Sequence, residues 1–303
     1  MNATVSAVVS LRQRIACLFL LSFLVAPTQL FAEDKALRVV SVGGALTEII
    51  YQLGAESQLV GVDTTSLYPE AATKLPQVGY QRALSAEGVL SLNPSIVLAT
   101  DQAGPPAVIK QIKLAGIEVL IIPTKYSAAG VVNKINQVSQ ALGLKSAGAK
   151  MAEDFLAEMD TLSNTEDKNI KTDVMFLLNV GKGSPMAAGI KTAADAMIVL
   201  AGASNVMKQY EGYKPVSTEA IVVADPEVLL LPQRTIDALG GQSGVLGIAG
   251  VNVTRAGKKK RVVAMEGLYM LGFTPRLPEA VRDLSKLLHS TKALESSLAV
   301  ADK

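Results

Sequence analysis

The sequence has one cysteine, one histidine and no tryptophan, and only 4% of its 303 residues are aromatic. Cys17 lies in the N-terminal apolar stretch, so the chain beyond it has no thiol and can form no disulfide. A histidine-rich transition-metal site is excluded, because His289 stands alone. Ser–His or Cys–His catalysis would have to recruit that same residue. It sits in "LSKLLHS", a late helical stretch, and reads as a surface or helix-end residue. A phosphate loop of the Walker type is absent. "GKGSPM" (181–186) begins like a dinucleotide fingerprint, but Met186 takes the place of the third glycine. An enzyme is therefore not expected.

Charge of one sign is lacking too. Arg12 and Arg14 precede an apolar run, Ile15 to Val25, that is too short to span a bilayer. With "QLFAEDK" this reads as a signal peptide over 1–32, cut near Ala32, although Leu30 is larger than the usual residue before a cut. Cys17 is inside the run and not at the cut, so a lipid anchor is not expected. Those two arginines are among 29 basic residues, and losing them leaves the chain balanced against its 27 acidic ones. Nucleic acid is thus not an expected partner. No later stretch is apolar enough for a transmembrane helix. The expectation is an exported protein that relies on its core alone, with length enough for two lobes.

What is present is a duplication. "LSAEGVLSLNPSIVLAT" (84–100) aligns without a gap to "VSTEAIVVADPEVLLLP" (216–232). Ser85 matches Ser217 as a helix N-cap, and Glu87 matches Glu219 in the first turn. Asn93-Pro94 matches Asp225-Pro226 as a helix stop. "SIVLA" matches "EVLLL", runs suited to buried parallel strands. Upstream, "TEIIYQLG" (47–54) resembles "DAMIVLAG" (195–202), each a helix ending at a glycine.

Strands are expected at 37–42, 58–62, 95–99 and 117–122, then at 173–179, 227–231 and 261–264, with helices between them. The fold class is α/β: two doubly wound lobes with largely parallel sheets. Met151, Phe155, Leu156, Met159 and Leu162 recur at helical spacing. They predict one long connecting helix, 146–168, between a lobe at 33–145 and a second at 169–303. A stiff connector implies little relative motion, and a ligand should lie between the lobes.

Three stretches carry a family resemblance: "VGGALTEIIYQLGAESQLVGVDTTS", "LPQVGYQRALSAEGVLSLNPSIVLAT" and "GLYMLGFTPRLPEAV". They resemble the periplasmic haem-binding proteins of Gram-negative haem-uptake ABC transporters, a branch of the class III family that also binds vitamin B12 and ferric siderophores. The resemblance covers nearly the whole chain after the signal peptide and implies two α/β lobes joined by one long helix. "GYQRALSAEG" is the stretch most specific for haem.

In that family a tyrosine in this loop ligates ferric iron, which implies Tyr80 as ligand with Arg82 as neighbour. The chemistry agrees. Ferric iron is hard and favours an anionic oxygen, and a nearby guanidinium favours the phenolate. Packing of a half-buried loop tyrosine is the plain alternative for Tyr80. Tyr68 in "SLYPE" and Tyr213 in "GYKPVSTE" are rival tyrosines. Arg234 follows directly after a predicted strand and resembles a second-lobe arginine that faces the haem; a solvated loop arginine is the alternative. Met186, Tyr126 and Tyr269 are candidate pocket walls, though ordinary packing accounts for each equally well. Some relatives stack two haems on a second-lobe histidine. "LLNVGKGSPMAAG" (177–189) has none, so one ferric haem per chain is expected.

Glu87 and Glu219 would each stabilise a helix start by about 0.3–1 kcal/mol. The resemblance adds a second role, since one such glutamate per lobe docks on arginines of the membrane permease. The implied protein is a periplasmic monomer that delivers haem to an inner-membrane ABC permease and ATPase complex. A corrinoid or ferric siderophore on the same scaffold is the alternative ligand. A secreted α/β hydrolase is the alternative of another class.

Overall fold

The computed structural model describes residues 37–163, 172–178 and 185–301. The expected signal peptide, residues 164–168 of the expected connector and residues 181–184 of "GKGSPM" lie outside the described residues. The first half runs β1 (Val39–Val42), α1 (Gly44–Gln52), β2 (Leu59–Val62), β3 (Gly79–Tyr80), β4 (Ala83–Leu84), α2 (Ala86–Ser91), β5 (Ile96–Thr100), α3 (Pro106–Leu114), β6 (Glu118–Ile122) and α4 (Ala128–Ala141). Helix α5 (Lys145–Ser163) follows. Strand order is β2-β1-β5-β6, parallel throughout. Every residue of β1 and β5 is buried, which is why both read as unbroken apolar runs.

The second half runs β7 (Asp173–Leu178), β8 (Met186–Ala188), α6 (Ala193–Leu200), β9 (Ser204–Asn205), β10 (Tyr213–Pro215), α7 (Thr218–Ala224), β11 (Val228–Pro232), α8 (Gln233–Ala238), α9 (Gln242–Leu246), α10 (Arg255–Lys258), β12 (Val262–Met265), α11 (Gly267–Leu271) and α12 (Leu277–Ala301). Here the sheet is mixed. β7, β11 and β12 are parallel, whereas β8 is antiparallel to both β7 and β10. The first sheet is parallel throughout, and the second keeps a parallel centre with β8 and β10 paired antiparallel at one side, in line with the expected α/β fold of largely parallel sheets. β9 covers only the first two residues of its edge of β7, and β8 takes the edge at Leu177 and Leu178.

The duplication is structural. Ser85 Oγ accepts the Gly88 N–H at 3.0 Å, and Ser217 Oγ accepts the Ala220 N–H at 3.2 Å. Asn93 (φ 50°) and Asp225 (φ 36°) both turn left-handed to end their helices. Gly54 (φ 68°) and Gly202 (φ 78°) do the same after α1 and α6, where a side chain would be strained.

One hydrophobic core serves both halves. Leu46, Ile49, Leu98 and Ile135 from the first half join Phe176, Met197, Leu230 and Phe273 from the second. Alternation along the strands sets this up. Val174 and Phe176 face the shared core, while Met175 and Leu177 face a second cluster on the outer side. Helix α5 lays Ala152 and Phe155 into the shared core, with Met151, Met159 and Leu162 against it. Leu156, read as part of the apolar stripe, is instead exposed. Two polar ties reinforce the contact. Lys134 on α4, fully buried, donates to the Phe273 carbonyl at 2.6 Å and the Gly272 carbonyl at 3.2 Å. Arg276 pairs with Glu48 on α1. His289 lies in the middle of α12, not at its end, with Nδ1 2.7 Å from the Ser285 carbonyl oxygen.

Candidate functional site

The hairpin β3–β4 is short, and it is held from both sides. The Thr64 N–H donates to the Gly79 carbonyl at 2.9 Å, from the loop after β2. Gly104, in the loop after β5, donates to the Gln81 carbonyl at 2.8 Å and accepts from the Leu84 N–H at 2.9 Å. The hairpin therefore lies over the carboxyl ends of β2 and β5, where ligands of open α/β sheets collect. Gly79 is required at φ 98°, because a Cβ there would stand 3.0 Å from the Ala83 carbonyl oxygen.

This frame presents Tyr80 and Arg82 together. Tyr80 is 41% exposed, a large fraction for a tyrosine in a backbone-pinned turn. Arg82 Nη1 donates to the Tyr80 hydroxyl at 3.0 Å. Its Nη2 donates to Gln102 Oε1. Gln102 Nε2 in turn donates to the Tyr126 hydroxyl at 3.2 Å. The Tyr126 ring packs on Phe273 of the second half, centroids 5.4 Å apart. Tyr213 comes from β10 and lies edge-on to Phe176 at 6.2 Å. Burial pushes its phenol up to about 12; the Tyr126 phenol adds to that shift and Arg82 opposes it.

Other expected site residues are not members of this hydrogen-bonded chain. The Tyr269 hydroxyl donates to Asp283 Oδ2 at 2.9 Å, and burial first, then Asp283, raises its phenol well above the usual range. Its ring flanks the Arg276 guanidinium at 4.9 Å, and Tyr68 flanks the same group at 3.6 Å. Tyr269 and Tyr68 thus share one cation, separate from the hydrogen-bonded chain that begins at Tyr80. Met186 opens β8, half-buried, beside Leu178 and Pro215. Arg234 is exposed in the first turn of α8, directly after β11.

Glu87 and Glu219 are both exposed, each in the first turn of a serine-capped helix. The Glu219 carboxyl is held below its usual value by its own backbone N–H and by the Ser217 hydroxyl. Open depressions of about 660 and 410 Å³ lie away from the Tyr80 chain. The first runs past Glu219, Val223 and Asp173; the second lies between Gln52, Phe155 and Pro275. Among the described residues, no three His, Asp or Glu side chains converge as metal ligands. What the Tyr80 chain presents to solvent is a phenol oxygen beside a guanidinium. Sequence reasoning missed Gln102 and Arg276. Gln102 could have been flagged by its place just after a strand's carboxyl end. Arg276 had no local signal, because its partner is on α1.

Comparison with known proteins bears on the fold as a whole. A family model described as "Periplasmic binding protein" matches residues 39–267. The solved periplasmic heme-binding protein BhuT, in complex with two hemes, is 43% identical with a TM-score of 0.79, covering 84% of this chain and 98% of that one. The periplasmic heme-binding protein RhuT from Roseiflexus sp. RS-1, in apo form, is 38% identical with a TM-score of 0.81 and the same coverage. The vitamin B12-binding protein of Vibrio campbellii is 28% identical over 210 residues, 68% of this chain and 74% of that protein. An ABC transporter substrate-binding lipoprotein of Bacillus subtilis, YvrC, is 26% identical over 265 residues, 83% and 80% of the two chains. The chain belongs to the periplasmic binding protein family, class III substrate-binding proteins of ABC transport.

Proposed function

We propose that the protein binds ferric haem in the periplasm through the Tyr80 phenolate and delivers it to an inner-membrane ABC importer. The observation that carries this is the exposed Tyr80 hydroxyl with a guanidinium donating to it at 3.0 Å. A ferric ion favours an anionic oxygen, and the adjacent positive charge lowers the cost of that anion. Arg234 supplies a second positive charge for a propionate, with Met186, Tyr126 and Tyr213 as pocket walls. The heme-binding neighbours support haem over a corrinoid. One haem per chain is the expected load, because the second-half stretch 177–189 has no histidine.

The B12-binding relatives favour the second reading, a corrinoid on the same scaffold. Titration with ferric haem and with cyanocobalamin separates the two. Haem should saturate at one per chain with a high-spin tyrosinate spectrum that Tyr80→Ala loses and that Tyr68→Phe and Tyr213→Phe keep. Tighter binding of cyanocobalamin, or an unchanged haem spectrum in Tyr80→Ala, overturns the assignment. Saturation at two haems, as BhuT is described, overturns the stoichiometry alone.

A further inference from the structure

We propose that Gln102 is a positioning residue for the ligand site. It holds the Arg82 guanidinium so that one Nη faces the Tyr80 phenol oxygen, and it ties that pair through Tyr126 to the contact between the two halves. The proposal rests on the haem reading for its purpose, but its geometry does not.

Arg82 is exposed, and an arginine on a turn has many rotamers open to it. The one it adopts sets Nη1 at 3.0 Å from the Tyr80 hydroxyl while Nη2 points elsewhere. The group met by Nη2 is the Gln102 carbonyl oxygen. A guanidinium has donors only, so the Gln102 amide must present its oxygen to Arg82 and its NH2 to the other side. That other side is the Tyr126 hydroxyl at 3.2 Å. The amide orientation is therefore dictated by Arg82, which has no acceptor to offer, and the Tyr126 hydroxyl accepts from the NH2 that is left.

The backbone makes this arrangement fixed and not incidental. Gln102 and Gly104 belong to one loop, and Gly104 bonds the hairpin turn on both sides of Arg82, at Gln81 and at Leu84. The Thr100 hydroxyl also donates to Gln81 Oε1 at 3.3 Å. Gln102 is half-buried, as is Tyr126, so the chain is partly screened from water and its hydrogen bonds count for more. Beyond Tyr126 lies the Phe273 ring, whose own carbonyl accepts from the buried Lys134. Displacement of Arg82 would thus be felt at the junction of the halves.

Two readouts test the role. In the apo protein, NMR of the Arg82 side chain should show separate, slowly exchanging Nη signals. Gln102→Leu should merge them by freeing the guanidinium, whereas Gln102→Glu should keep them resolved, because a carboxylate still accepts from Nη2. With ferric haem bound, Gln102→Leu should keep tyrosinate ligation but lose haem to apomyoglobin about threefold to tenfold faster, the loss of one hydrogen bond's worth of order. In an Arg82→Ala background, the same substitution should change the rate by less than about twofold, since the two act through one contact. Merged signals in wild type, or resolved ones in Gln102→Leu, overturn the positioning role whatever the protein binds. Resolved signals with a fully additive effect of the two substitutions on haem loss show that Gln102 meets the ligand directly and overturn it as well. A wild type that binds no ferric haem overturns the haem reading and leaves the NMR arm decisive for Arg82.

Discussion

Arg276 and Glu48 meet across the two halves in a two-bond ion pair, Nε to Oε1 at 3.0 Å and Nη2 to Oε2 at 2.9 Å, with the carboxylate fully buried. The guanidinium is further held between the Tyr68 and Tyr269 rings. A buried pair of this kind contributes little net stability, but removing one partner strands a charge. Arg276→Ala should therefore cost about 3–5 kcal/mol in urea unfolding. The double change Glu48→Leu with Arg276→Met should cost clearly less than Arg276→Ala alone. A loss below about 1 kcal/mol in Arg276→Ala, the level of a surface pair, would refute the buried-pair account.

Lys134 gives the fold a distinctive alkaline response. Burial lowers its ammonium from 10.5 to about 8, against the opposing pull of Glu48 and Asp101. Between pH 8 and 10.5 the unfolded chain therefore holds a proton that the native chain has released. Stability should rise with pH in that window, by at most about 1.4 kcal/mol per unit, and be flat in this respect below pH 8. Above pH 10 the raised phenol of Tyr213 acts the other way, since the native state then keeps its proton longer. Urea unfolding at pH 7.5, 8.5 and 9.5 should show the rise in wild type and not in Lys134→Met. That variant should also be less stable at every pH by about 1–3 kcal/mol, because two carbonyls lose their donor. An equal slope in both proteins would remove Lys134 as its source.

Gly79 and Gly54 make a controlled pair. Both have positive φ, 98° and 68°. An added Cβ meets the Ala83 carbonyl oxygen at Gly79 and finds open space at Gly54. Gly54→Ala should cost about 1 kcal/mol and leave haem binding alone. Gly79→Ala should cost more, about 1–3 kcal/mol, and should speed haem loss because Tyr80 is the next residue. Equal haem off-rates in the two variants would show that the hairpin backbone does not set the ligand's position.

The duplication, the buried parallel strands and the serine caps were legible because each is a local pattern: a cap spacing, a proline stop, an apolar run. β8 and β10 were not. "MAA" is too short to mark a strand and "YKP" has no clean alternation; β8 takes the free edge that β9 leaves on β7, and β10 then adds to β8. The shared core was half legible. Unbroken apolar runs showed that both faces of the central strands are buried, but not that one face of each sheet meets the other half. The Tyr80–Arg82 pair was named by the family resemblance of its loop, and its two-residue spacing lets the side chains meet without help from the fold. Gln102 and Arg276 reach their partners only through the fold, from loops whose composition marks nothing.

Glu87 and Glu219 remain to be tested as the docking pair. The structure puts them at matching places, in the first turn of α2 and of α7, each helix capped by its own serine. Both are exposed, so neither is needed to satisfy a buried partner. Glu219 is ionised throughout the neutral range, since its carboxyl is held below the usual value. Two carboxylates of this sort would meet basic residues on the permease, one for each half of the protein. Such charges act mainly on encounter and register, with a larger effect when the interface desolvates them. Glu87→Lys and Glu219→Lys should each slow haem uptake into liposomes carrying the cognate transporter. The double variant should slow it by about tenfold or more, because both contacts become repulsive. Haem affinity should stay within about twofold of wild type, as neither residue belongs to the Tyr80 chain. Raising salt should slow wild-type uptake and speed that of the double variant, because screening weakens the attraction in one and the repulsion in the other. Uptake at the wild-type rate in the double variant would leave the two glutamates as helix-start residues. A double variant with weakened haem binding would instead place them beside the ligand.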